Sequence, residues 1–150
     1  MRNRRGFTAI EMALVTTIFG ILAAVAYPKL TQVREQAALQ GAKRHVITQL
    51  LAARSAAIQR GRTVQLRTVD NDLWVLTIVS GTPTTVSAVA SLDGSFGATV
   101  TPSAASISFD ARGFATGLPL TGAKFVIDRS GVRDSVCVTR FGTVVSECGL

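Results

Sequence analysis

The chain is poor in the side chains that most often carry chemistry: its 150 residues hold a single histidine and two cysteines. His45 stands on a helical stretch beside Lys43 and Arg44, the setting of a solvated surface histidine and not of a general base. One histidine and two cysteines, without a close Cys-x-x-Cys pair, make a poor zinc site. No H-E-x-x-H, G-x-S-x-G or glycine-rich phosphate loop occurs. Asp70-Asn71-Asp72 opens like a calcium loop but lacks the glycine and the distal glutamate, so a hairpin turn is the better reading. An enzyme reading finds little to hold, and no cofactor or metal is implied.

Acidic residues are scarce as well, 9 Asp+Glu against 16 Lys+Arg. Charged residues make up only 17% and hydrophobic ones 47%, which excludes global disorder. The length suits one domain with a real core, and no internal repeat or low-complexity block appears. Arg2, Arg4 and Arg5 precede a long apolar run; without them the basic excess is mild, and permits contact with phosphate or anionic lipid without demanding it.

What is abundant is apolar length. Phe7 to Tyr27 carries one charge, Glu11. As a helix this run spans ~31 Å, the thickness of a bilayer core, and the positive charges before it keep the N-terminus cytoplasmic. A secretory signal cut after Ala24-Val25-Ala26, a twin-arginine signal at Arg4-Arg5-Gly6-Phe7 and a plain anchor all compete. Glu11 discriminates, because a carboxylate costs up to ~2.5–3.5 kcal/mol in mid-bilayer and is retained there for a partner. Signal peptides need none. A free α-amino group on another copy or relative of this chain is the closest candidate, and cleavage between Gly6 and Phe7 would create one. If the chain is exported, Cys137 and Cys148 most simply pair and staple a C-terminus otherwise prone to fray.

The stretch "GFTAIEM" resembles the class III signal of type IV prepilins and type II secretion pseudopilins. In that family a membrane peptidase cuts after the glycine (here Gly6) and methylates the new N-terminus (here Phe7). A glutamate stands fifth in the processed chain, here Glu11, and Pro28 falls where pilin helices commonly carry a proline. The resemblance implies inner-membrane lipid, the prepilin peptidase and other major and minor pilins or pseudopilins as partners. It also implies a single pass in a bacterial inner membrane with the head in the periplasm, followed by entry into a pilus or pseudopilus. Glu11 would pair there with a neighbour's N-terminal amine.

Beyond Pro28 the pattern stays helical but becomes amphipathic. Val33, Ala37, Val46, Leu50, Ala53 and Ala57 are read as one stripe, with Ile47, Leu51 and Ile58 beside it. Pro28 is expected to bend the helix without ending it, Gly41 to loosen it again, and Gly61 to stop it. The period then changes to two. A hairpin is predicted over 62–79, turning at Asp70-Asn71, with strands at 84–91, 105–109, 123–128, 134–140 and 143–147. "SGTPTT" and "LDGSFGATVTPSA" read as surface loops, and Trp74 as core or sheet-face packing. The fold class is α+β: a long N-terminal helix, half membrane and half amphipathic, packed on an antiparallel β-sheet head, pilin-like. Its parts are a leader (1–6), a membrane or filament-core helix (7–28), the amphipathic half (29–60) and the head (61–150).

"LLAARSAAIQRGRTVQL", "ISFDARGFATG" and "VCVTRFGTVVSEC" resemble the GspH/FimT group of minor pilins and pseudopilins. Some FimT-type members bind DNA through a C-terminal Gly-Arg-x-Arg motif. At the corresponding place stands Gly142-Thr143-Val144-Val145, without either arginine. Arg133 and Arg140 remain nearby as a substitute phosphate patch, but DNA is not the favoured partner.

Overall fold

The computed structural model describes residues 8–79, 82–87, 89–146 and 148. Contacts divide the chain into two compact units, Met1–Glu35 and Gln36–Leu150. Helix α1 (Ala9–Arg60) supplies the described part of the first and the opening of the second.

In the first unit, Thr8 caps the helix: its Oγ1 accepts the Glu11 N–H at 3.3 Å, and its carbonyl accepts the Met12 N–H. The apolar stretch has a mean hydropathy of 2.1, and none of it is buried by the rest of the chain. The hydroxyls of Thr16 and Thr17 bond back to the carbonyls of Met12 and Ala13, so their polarity is satisfied within the helix, as an apolar surrounding requires. Pro28 lies inside α1, which continues through it.

In the second unit the buried stripe of α1 is Leu39, Ala42, Val46, Gln49, Leu50, Ala53 and Ala57, spaced by threes and fours. Val33 and Ala37 are exposed and do not belong to it. At about 100° per residue, Ala37 lies half a turn away from Val46, so the expected stripe was out of phase at its start. Ile47 packs partly against the core, whereas Leu51 and Ile58 flank it in solvent. Gly41 does not loosen the helix: it leaves room for the ring of Phe96, whose nearest carbon would stand 2.8 Å from a Cβ at position 41. His45 is half-buried on the same ring, centroids 5.7 Å apart, and not the solvated side chain its charged neighbours implied. At the C-terminus, the N–H groups of Gly61 and Arg62 bond the carbonyls of Ile58 and Ala57, a Schellman stop.

The chain then enters β1 (Val64–Val69) and β2 (Asp72–Val79), paired antiparallel around a two-residue turn. Asp70 and Asn71 take φ of 49° and 67°, the primed turn that matches strand twist. The strand expected at 84–91 is two pieces, β3 (Thr82–Thr85) and β4 (Ala90–Ser91), both paired with β2. "LDGSFGATVTPSA" is not a loop. It holds α2 (Leu92–Phe96), capped by Ser91, and β5 (Thr99–Pro102). β3 likewise replaces most of the predicted "SGTPTT" loop. There follow β6 (Ser106–Phe109), β7 (Ala115–Thr116), β8 (Ala123–Arg129), β9 (Val132–Val138) and β10 (Val144–Val145). β9 begins and ends two residues before the predicted 134–140.

Among the described residues the strands form two antiparallel sheets, β3-β2-β1-β6-β7 with β4 on β2, and β10-β9-β8-β5. The helical stripe, Leu66, Val75 and Phe109 of the first sheet, and Phe125, Ile127 and Val136 of the second share one core. Fully burying each of the large side chains contributes about 1.5–3 kcal/mol.

Candidate functional site

Gly6 and Phe7, the expected processing residues, lie outside the described residues. Glu11 sits in the first turn of α1, exposed, its carboxylate without a hydrogen bond or ion pair among the described residues. Thr8-x-x-Glu11 is the spacing of a capping box, a local reason for an acid here that the lipid argument missed.

Cys137 and Cys148 form a disulfide with their Cα atoms 5.5 Å apart. It ties Cys148 to β9, where among the described residues the short β10 makes only the pairs Val144–Val138 and Val145–Cys137.

The structure does not bring Arg133 and Arg140 together. Arg133 stands near the start of β9 and Arg140 follows its far end; the five residue steps from Arg133 to Val138 span roughly 16 Å. That is twice the ~8 Å screening length at physiological salt. Arg133 is also engaged, its Nε donating to Asp128 Oδ2 at 2.7 Å. The hydrogen bond from the Arg133 guanidinium outweighs desolvation and, with a lesser contribution from the Gly131 N–H, holds the Asp128 carboxyl below its ordinary range.

Two loops stand over the last turns of α1 and over each other. In the loop after β6, Asp110 Oδ1 accepts the N–H groups of Arg112 and Phe114. In the loop after β9, the Gly142 N–H bonds the Thr139 carbonyl. Arg54 Nη1 reaches across from α1 to the Gly142 carbonyl at 2.9 Å. Gly142 has φ 72°, and a Cβ there would lie 2.1 Å from the Gly113 carbonyl oxygen, so the loops touch backbone to backbone. The clasp presents Phe114 and Phe141 edge to face, centroids 6.4 Å apart.

An apolar helical stretch with one carboxylate in its first turn, followed in sequence by a helix-on-sheet head with a disulfide, is the architecture of a pilin-like α+β protein. The chain matches two family descriptions: Type II transport protein GspH over residues 42–142, and the prokaryotic N-terminal methylation motif over residues 1–27. It belongs to the GspH family and carries that motif. Its fold is similar to that of the type IV minor pilin FimU of Pseudomonas aeruginosa PAO1, solved in two crystal forms. One aligns with a TM-score of 0.62 at 20% identity, covering 75% of this chain and 90% of that one; the other with 0.56 at 19%, covering 75% and 91%. No curated protein sequence matches.

Proposed function

We propose that the chain is a minor pilin or minor pseudopilin, a structural and assembly subunit and not an enzyme. A prepilin peptidase cuts it between Gly6 and Phe7 and methylates Phe7. The helical segment 7–28 first anchors the head on the periplasmic side of the inner membrane, bends at Pro28, and then enters the core of a filament of major and minor subunits. One observation carries this reading: an apolar stretch at the start of α1 that its own chain leaves uncovered, with Glu11 as the only carboxylate of segment 7–28, near the cut. In lipid or in a filament core, that carboxylate is tolerable when paired, and an unpaired one raises the energy of every wrong register. A neighbour's N-terminal amine is the partner that cleavage supplies.

The methylation motif supports the processing, and the fold shared with FimU supports the filament role. DNA uptake is the less favoured alternative, since Arg133 is ion-paired and far along β9 from Arg140. N-terminal mass spectrometry of membrane-extracted protein is expected to find a methylated chain starting at Phe7. A start at Tyr27 would mark a conventional secretory signal and overturn the reading.

A further inference from the structure

The clasped loops and the neighbouring loop after β7 hold large apolar side chains in water. Leu120 is 87% exposed, Phe141 71% and Phe114 43%. With Ala115, Thr139 and Arg140 they line one open hollow of about 540 Å³. Contiguous exposed apolar surface of this kind on a head is characteristic of an interaction site. Nor is it a floppy one. The Ala115 N–H bonds the Arg140 carbonyl, the Asp110 N–H bonds the Phe114 carbonyl, and Arg54 fixes Gly142 from the helix. Little ordering entropy is left to lose when a partner arrives.

Charge narrows the partner. Arg140 borders the hollow and Arg112 is exposed on the Phe114 loop; neither side chain has a partner among the described residues. The carboxylate on these loops, Asp110, has its Oδ1 committed to two backbone N–H groups. We propose that this face docks a protein segment of another subunit type in the same filament, one that inserts an apolar side chain into the hollow and sets an adjacent Asp or Glu against Arg140 and Arg112. The proposal rests on the filament-subunit reading above. Nucleic acid fits less well. The two rings are spent on each other at an interplanar angle of 64°, leaving no slot for a base, and two arginines make no groove along a phosphate backbone.

The test places a benzophenone amino acid at Leu120 of the full-length chain in its own cells and maps the crosslinked peptide by mass spectrometry. The expected product is a peptide from a different filament subunit, with Asp or Glu within two residues of the crosslinked apolar side chain. Arg140→Glu should cut its yield about tenfold or more, the scale expected of a like-charge contact. Changing the mapped acid to Arg should restore it. Arg67→Glu, an exposed position outside this face, should leave the yield unchanged. The proposal is overturned by no protein crosslink, by a crosslink to another copy of this chain, to DNA or to lipid, or by a yield insensitive to Arg140→Glu. If these failures occur in a chain that still starts at Phe7 and enters filaments, the docking idea alone falls. If the chain does not enter filaments, both fall.

Discussion

Replacing Gly142 by alanine isolates the backbone contact that holds the two loops together. The added Cβ meets two separate costs. The first is conformational: φ is 72°, in the left-handed region where an L side chain costs about 1–2 kcal/mol. The second is steric: the Cβ would stand 2.1 Å from the Gly113 carbonyl oxygen and 3.1 Å from Arg54 Nε, and forced overpacking of this kind costs about 1–3 kcal/mol. Together they amount to ~2–5 kcal/mol, a large part of the ~5–15 kcal/mol that holds a domain folded. Gly117 supplies the control. Its φ is 77°, yet a Cβ there meets nothing within 4 Å, so Gly117→Ala carries the first cost without the second. Trp74, the single tryptophan, lies half-buried on β2 and reports the head without interference from the apolar N-terminal stretch, which has no tryptophan. In thermal melts followed by its fluorescence, at about 4 °C per kcal/mol for a unit of this size, Gly142→Ala should fall roughly 4–12 °C below Gly117→Ala. Coincident melting of the two variants would falsify the account of Gly142 as a contact and leave it as a turn residue only.

Glu11→Ala should leave membrane insertion intact and reduce recovery in sheared filaments, because on the proposed role it removes a charge that lipid resists and that assembly would pair. Recovery equal to wild type would assign Glu11 to helix capping alone, an effect of about 0.3–1 kcal/mol. Cys148→Ser should cost ~3 kcal/mol by the chain-entropy measure and accelerate hydrogen exchange in β10 before the core, whereas uniform acceleration would show that the bond supports the whole head. Asp128 titrates below the ordinary carboxylate range, so its contribution to stability is present above its unfolded pKa and disappears as pH falls through the folded one. In Arg133→Ala the Asp128 titration seen by NMR should move up toward the ordinary range; an unmoved titration would refute the pairing.

The parts readable in the sequence are those whose signal is local. Asp70-Asn71 between alternating runs announced its hairpin, Gly61 its helix stop, and the basic leader with Glu11 the class of the N-terminal segment. α2 was missed because Asp93, Gly94 and Ser95 have the composition of a turn. Its helix depends on Leu92, buried in the core, and on Phe96, seated against α1 far away in sequence. The two-residue β7 has no periodicity to read and exists through its pairing with β6. The clasp was equally hidden, since it joins three distant segments through Arg54. Its one trace was the recurrence of Arg, Gly and Phe in "RGF" at 112–114 and "RFG" at 140–142.

The seat of Phe96 on Gly41 bears on how such chains diversify. Ring and notch lie 55 residues apart yet occupy one volume, with His45 closing the side. Positions 41, 45 and 96 should therefore change in concert among relatives: an alanine at 41 calls for something smaller than phenylalanine at 96. A chimera that takes its helix from one relative and its head from another should be compatible only when residue 96 travels with the helix.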